Sequence, residues 1–368
     1  MESATDRDFG AIDAGRIDFR AGTSGMQRRR FLTGLAAFGA GALIPGCVSN
    51  APVPGVAGAQ PHRIDIHHHA FPPTLVAELA ARKLANTFAS NWSIARTLAD
   101  MDQAGVATSI MSFPNPGLSF ADAPLARRLA RENNEYLARL AVDYPGRFGF
   151  FGLMPVQDID GSLREIEYAL DVLKAQGMGM LTNYGDKWLG HKFFAPIMDE
   201  LNRRKAVLYT HPTLGSCCRN LLPDIPPTVI EYGTDTARTI ADIVFSGTAA
   251  RCPDLKFIFS HGGGSLPYLT ERLEMMPVLD PRLRSRVPNG VLHELQRFYY
   301  DTAWIQNPVP LAALTRFVPV SRIVFGSDYP YRTGAETVKG LVDFGFSASD
   351  LHSVTRGNAL QLLPQLRA

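Results

Sequence analysis

The sequence predicts an α/β protein, a (β/α)8 TIM-type barrel forming a single domain over residues 60–368, preceded by an export leader over residues 1–59. Three observations predict it. From Arg63 onward, short apolar or β-branched runs alternate with longer amphipathic stretches, as expected of parallel strands joined by crossover helices. Eight such runs stand near 63–67, 107–112, 148–153, 178–182, 206–210, 255–260, 297–301 and 322–326, and eight strands close a barrel. Several of the runs end in histidine or aspartate, and in this fold chemistry sits at the carboxyl ends of the strands. The alternative is an open doubly wound sheet, but no G-x-G-x-x-G follows an early strand.

The crossover segments carry their own signals. Ser162 with Glu165 reads as a capping box, Leu163, Ile166, Leu170 and Leu173 recur on one face, and Gly177 reads as the stop. The 368 residues are 46% hydrophobic and 20% charged, which excludes disorder for most of the chain. With 37 basic against 35 acidic residues the net charge is +2, and no basic run recurs in the main body, so a nucleic-acid partner is excluded and a small molecule expected. Four cysteines without a C-x-x-C pair make neither a disulfide framework nor a zinc ribbon. Cys217 and Cys218 are expected to stand reduced and structural, because adjacent cysteines seldom pair. Any metal must therefore come from histidine and carboxylate.

The leader is a different polymer. Met1 to Ala59 holds six arginines and no lysine. Arg28-Arg29-Arg30-Phe31-Leu32 precedes a Gly/Ala-rich apolar stretch, Leu32 to Ile44, whose 13 residues are too few to span a bilayer. Basic head, short apolar middle and small-residue tail are the order of an export signal, here similar to the twin-arginine type. That predicts a periplasmic protein delivered folded by the twin-arginine machinery, with no stable transmembrane segment after processing. Two exits stay open: cleavage after Ala57-Gly58-Ala59, or lipidation of Cys47 in Ile44-Pro45-Gly46-Cys47. The 25 residues before Met26 are long for a leader, so Met26 is a second candidate start.

The strand ends carry the chemistry. Ile64-Asp65-Ile66-His67-His68-His69 ends the first strand, where alternation puts His67 and His69 on one side and His68 on the other. His211 ends the fifth, His261 the sixth, and Phe325-Gly326-Ser327-Asp328 follows the eighth. Imidazole and carboxylate hold zinc or manganese while leaving a position open. A histidine at one strand end is commonly structural, but four strand ends converging on one mouth point to a metal site.

These motifs resemble a known family. Asp-x-His-x-His at 65–69, Thr-His-Pro at 210–212, Ser-His-Gly-Gly-Gly at 260–264 and Phe-Gly-Ser-Asp-Tyr-Pro at 325–330 are similar to the amidohydrolase superfamily, in its branch of aminocarboxymuconate-semialdehyde decarboxylase-like proteins. Tyr184 to Gly190, Asp235-Thr236-Ala237-Arg238-Thr239 and Phe245-Ser246-Gly247-Thr248 look most like 6-methylsalicylate decarboxylase-type members. The resemblance runs from about Arg63 to the end. It implies one divalent metal, Zn2+ or Mn2+, held by His67, His69, His211 and Asp328, with His261 as acid/base. The bridging lysine of two-metal relatives has no counterpart, since the fourth strand ends Met180-Leu181-Thr182-Asn183. Arg272 stands at the spacing of a family arginine that reaches a neighbouring subunit, which implies a homodimer. Arg96 is offset by one residue from another family arginine. The founder's aromatic after His-Pro is Thr213 here, so the founder's substrate does not transfer.

The implied reaction is non-oxidative decarboxylation of a small aromatic, 2-hydroxybenzoate-like or related unsaturated acid. In it Asp328 and His261 handle the proton, one of Arg96, Arg219, Arg238 and Arg272 neutralises the carboxylate, and Tyr184, Trp188, Trp304 and Tyr329 supply walls. The rival is a hydrolase acting on a lactone, ester or amide, which the same ligands would serve.

Overall fold

A computed structural model describes residues 62–219 and 221–367. The leader, the Arg28-Arg29-Arg30 cluster, Cys47 and Ala57-Gly58-Ala59 lie outside the described residues. Within them the eight strands are β1 (Arg63–His69), β2 (Val106–Ser112), β3 (Phe148–Gly152), β4 (Gly177–Leu181), β5 (Val207–His211), β6 (Lys256–Phe259), β7 (Tyr299–Asp301) and β8 (Ile323–Val324). They pair in parallel in chain order.

The segment at and after β8 returns to β1: Ile66 N donates to Phe325 O at 2.9 Å, Asp328 N to His67 O at 2.8 Å and His69 N to Tyr329 O at 2.8 Å. The open-sheet alternative fails on these bonds. One hydrophobic cluster joins Ile64, Ile110, Phe151, Val207, Ile258, Tyr299 and Val324, side chains of strands far apart in sheet order that meet only across a closed barrel. Phe151 and Tyr209 stack there at 5.1 Å between ring centroids. Leu362 and Leu363 from the C-terminal end belong to the same cluster. A larger cluster fills the space between the strands and the helices around them, the two-layer packing of this fold.

Local details differ from the sequence reading. The helix read from Ser162 starts earlier, at Ile159, because Asp158 is its cap and accepts from Gly161 N at 3.0 Å. Glu165 therefore has no capping duty; it faces Asn134 at 2.9 Å and Arg131. The helical path ends at Val172, and Gly177 opens β4, where a Cβ would strike the backbone of Val207. A short hairpin, Asn183–Tyr184 with Lys187–Trp188, follows β4. Cys217 and Cys218 are joined as a disulfide, against the expectation that they stand reduced, while Cys252 is buried and free. Among the described residues no helix is long and apolar enough to cross a membrane.

One buried carboxylate near the barrel rim sets a pH dependence. Asp100, in the helix Ile94–Ala104, is 8% exposed and accepts from Gly334 N at 3.1 Å. Burial raises it from 3.8 to about 6, against the partial relief given by that backbone N–H. Below pH 3.8 the folded and unfolded chains both carry the proton, and no penalty exists. As pH rises toward 6 the unfolded chain ionises first, and stability falls by up to about 3 kcal/mol. Asp100→Asn should therefore gain stability relative to the parent as pH is raised from 4 to 7, in paired denaturant titrations. A difference that stays flat with pH would count against this account.

Candidate metal centre

The order of the strands puts the predicted ligands on one rim. β1 shifts register against β2 between Asp65 and His68, and His67 and His69 turn inward while His68 turns outward to Asp65 Oδ2 at 3.1 Å. His211 closes β5, and Asp328 follows β8. One ligand atom from each of His67, His69, His211 and Asp328 lies within 4.8 Å of all the others, and all four residues are buried. His67 Nε2 stands 3.1 Å from His69 Nε2 and 3.0 Å from Asp328 Oδ1, which is 2.7 Å from His69 Nε2.

The far nitrogens decide whether this set suits a cation. His67 Nδ1 is 2.7 Å from Asp301 Oδ2, His69 Nδ1 is 3.2 Å from Ser112 Oγ, and His211 Nδ1 donates to the Pro212 carbonyl at 2.9 Å. Each ring is thus engaged on its outer nitrogen and aims the other at one point, the arrangement that fixes tautomer and direction in metal-binding histidines. Three imidazoles and one carboxylate with a common focus fit a single divalent metal.

Electrostatics follow from burial and from the two carboxylates. Burial pulls His69 down to about 4 and His211 well below its ordinary value, aided at His211 by the neighbouring imidazoles. At His67 burial acts in the same direction, but Asp301 and Asp328 outweigh it and raise the ring to about 10. Asp328 stays well below the usual carboxylate range, because the charge on His67 and the nearby imidazoles of His261 and His69 overcome its burial. A cation in the cluster competes with the proton on His67 Nε2 for the same lone pair.

The backbone around the cluster is held in sparsely populated geometry. His261 (φ 55°), Trp304 (φ 58°) and Asp328 (φ 67°) are all left-handed, at about 1–3 kcal/mol each. Each is tied down: His261 N donates to Asp301 Oδ1 at 2.8 Å, Asp328 N donates to β1, and the Trp304 indole N–H donates to Asp328 Oδ2. His261 Nε2 lies 3.5 Å from Asp328 Oδ2, too long for a good bond, and is otherwise without a partner although buried. Gly262, Gly263 and Gly264 follow with φ of 60°, 79° and 65°, and a Cβ on Gly264 would collide with the Gly233 backbone. Only glycine lets the helix Pro227–Phe245 come this close to the sixth strand end.

Residues 64–365 match the family model described as Amidohydrolase. The chain belongs to the amidohydrolase family. The decarboxylase macB of Penicillium terrestre is 36% identical over 326 residues, spanning 83% of this chain and 96% of its own length. A 6-methylsalicylic acid decarboxylase of Penicillium expansum is 35% identical over 320 residues, spanning 83% of this chain and 97% of its own. Among solved structures, a 5-carboxyvanillate decarboxylase of Novosphingobium aromaticivorans complexed with manganese superposes with a TM-score of 0.73 over 82% of this chain and 96% of that one, at 22% identity. These similarities agree with the decarboxylase branch to which the motifs pointed.

The remaining predicted residues of this amidohydrolase fall in several places. Trp304 reaches the cluster as a donor to Asp328. Tyr329 stacks on His68 at 4.8 Å, on the outward side of β1, and lines a separate cavity with Arg96, Phe88 and Trp92. Arg96 itself donates to the Asn91 carbonyl at 3.0 Å. The Trp188 indole N–H donates to Asp235 Oδ1 at 2.8 Å, and the Tyr184 hydroxyl accepts from Leu181 N at 3.0 Å, so both brace the hairpin after β4. Arg238 is half-exposed, 3.9 Å from Glu231 and Asp235, while Arg219 and Arg272 are exposed. Sequence reasoning missed Asp301 and Ser112, which orient His67 and His69. It also missed Tyr331 and Tyr232, whose rings lie 5.7 Å from His69 and 6.4 Å from His211. Asp301 does end a predicted strand, which is the one signal that could have found it.

The Asp301 bond gives a sharp test. In Asp301→Asn the amide oxygen can still accept from His261 N, but the amide nitrogen then faces His67 Nδ1 and forces the proton onto Nε2, the nitrogen needed for metal. Metal affinity should fall roughly 10–100-fold, and His69→Ala should abolish stoichiometric binding. Metal content after dialysis, with competitive chelator titration, measures both; unchanged affinity in both variants would overturn the site.

Proposed function

We propose that this amidohydrolase is a metal-dependent, non-oxidative decarboxylase of a small 2-hydroxybenzoate-like acid. The observation that carries the reading is His261: a buried imidazole nitrogen without a hydrogen-bond partner, beside Asp328 at the rim of the ligand cluster. The identity with fungal decarboxylases over most of the chain favours carboxy-lyase over hydrolase chemistry.

Loss of CO2 breaks the bond between ring and carboxylate, and the electron pair left on the ring carbon takes a proton. When bound, a divalent cation supplies Lewis-acid charge for a chelating phenolic oxygen and carboxylate. The chain's residues do the rest. His67, His69, His211 and Asp328 hold the cation, and Asp301 and Ser112 keep two of the rings aimed. Asp328 and His261 hold and pass the proton, because the free His261 Nε2 can carry it to a ring carbon seated above the cluster. Trp304 fixes the orientation of Asp328, while Trp304 and Tyr331 flank the mouth as aromatic surface for a planar substrate. Zinc is the ion we assign, on three imidazoles and a carboxylate, with manganese, present in two structural relatives, as the alternative.

The assembly and location belong to the same reading. Arg272 is exposed on the helix Leu266–Leu279 and free to meet a second copy in a homodimer. The Arg28-Arg29-Arg30-Phe31-Leu32 leader suits twin-arginine export to the periplasm, with removal after Ala59 or lipidation at Cys47. Export of a folded protein lets the metal be loaded before release.

Two experiments test these statements. Metal-loaded enzyme offered a panel of salicylates, lactones, esters and amides should release CO2 from one or more salicylates, stop after chelation and resume on adding Zn2+ or Mn2+. Turnover of lactones, esters or amides alone would replace the decarboxylase reading with the hydrolase one. Residues 1–59 fused to a reporter should carry it to the periplasm in a twin-arginine-competent bacterium; retention in the cytoplasm removes the export proposal.

A further inference from the structure

A polar chain leads from a buried carboxylate to the rim beside His211. Asp235, fully buried in the helix Pro227–Phe245, accepts from Trp188 Nε1 at 2.8 Å, from Asn183 Nδ2 at 2.7 Å and from the Thr182 hydroxyl. The Thr182 proton being spent on Asp235, its oxygen is left to accept, and Thr213 N donates to it at 3.1 Å. The Thr213 hydroxyl donates to Asn115 Oδ1 at 2.6 Å, and Asn115 Nδ2 donates to the Tyr232 hydroxyl oxygen at 3.2 Å. Donor and acceptor groups thus alternate from the buried carboxylate to the Tyr232 hydroxyl.

The last member has a proton to place. The Tyr232 oxygen accepts from Asn115, so its own O–H is left to donate elsewhere. Its ring stands edge-on to the ligand His211, 6.4 Å between centroids. Two contacts hold the Tyr232 stretch of the helix at the rim: Ser265 N donates to Gly233 O at 3.1 Å, and the glycine run after His261 allows that approach.

We propose that Tyr232 is a substrate-binding residue whose hydroxyl, oriented by Asn115 and Thr213, donates a hydrogen bond to a substrate oxygen at the mouth. The inference rests on the decarboxylase reading for the substrate class, an oxygen-rich aromatic acid, and adds the protein group that selects it. Thr213 is central to it, since this position, directly after His211-Pro212, is where an aromatic would remove the hydroxyl that turns Asn115. A charged substrate oxygen accepting from a phenol within a largely buried site is worth about 1.5–3 kcal/mol, or roughly 10–100-fold in affinity.

The test compares parent, Tyr232→Phe, Thr213→Val and the double variant, all metal-loaded and matched for metal content and melting temperature. Salicylate and ring-hydroxylated salicylates are the probes, and both Kd by calorimetry and kcat/KM for CO2 release are measured. Tyr232→Phe should weaken binding of at least one salicylate 10–100-fold, Thr213→Val should weaken the same one less, and the double variant should be no worse than Tyr232→Phe alone. The non-additivity separates an orienting chain from two independent packing losses. Tyr232→Phe within twofold of the parent for every salicylate that the parent binds or turns over overturns the inference and leaves the decarboxylase reading standing. A parent that neither binds nor turns over any salicylate overturns both.

Discussion

His67 sits between two carboxylates that arrive from different strands, and much of the site depends on that clamp. Asp301 ends β7 and takes Nδ1; Asp328 follows β8 and faces Nε2. Burying two carboxylates and an imidazole is costly unless each charge is paired and each lone pair used. Here the pairing also does topological work. It joins the first strand of the barrel to its last two, at the seam where backbone bonds from Ile66 and His69 to the segment after β8 complete the closure. The same residues that close the fold aim the ligands, so geometry at the site is inherited from the closure of the barrel.

That inheritance explains why strained backbone is tolerated at the rim. His261, Trp304 and Asp328 each occupy a left-handed conformation that an isolated chain would leave. Asp301 alone accepts from the backbone N–H groups of both His261 and Ala303 with one oxygen while holding His67 with the other. One carboxylate therefore fixes a ligand ring, the residue proposed to move the proton, and the turn that presents Trp304. Asp328 is fixed in turn by β1 through its N–H and by Trp304 through its side chain. The constraint is shared among few residues, and each supports more than one neighbour.

Legibility in the sequence follows the range of the interaction that sets each feature. The eight strands and the convergence of His67, His69, His211, His261 and Asp328 were readable, because period-2 alternation and strand ends are local properties of the chain. Asp301 was not, since its meaning lies in a partner 234 residues away. Trp188 and Tyr329 were expected as walls and instead brace the hairpin and cover His68, because beyond a strand end the direction of a side chain depends on turn dihedrals that residue type does not announce. The helix expected from Ser162 begins at Ile159 since Asp158 competes for the capping role from three residues upstream of Gly161. The Cys217–Cys218 pairing ran against a general tendency of adjacent cysteines, and no residue nearby signals it.

The division between strand and loop also separates the groups that would hold the cation from those beyond the strands. The ligands and their orienting partners sit on or next to strand termini, which pack against the barrel interior and admit little change. The residues facing the mouth, Asn115, Thr213, Tyr232, Trp304 and Tyr331, lie beyond the strands or on a helix that reaches the rim through a glycine contact. Among the described residues, the side chains of Asn115, Thr213, Tyr232 and Tyr331 make no bond to the clamp on His67, whereas that of Trp304 is tied to it through Asp328. Thr213 illustrates the point: it follows two residues after a ligand, yet its hydroxyl acts on Asn115 and its backbone N–H on Thr182, both outside the cluster. The polar chain proposed to set selectivity meets the ligand His211 at two points, through the Tyr232 ring and through Thr182 N, which donates to His211 O at 2.9 Å.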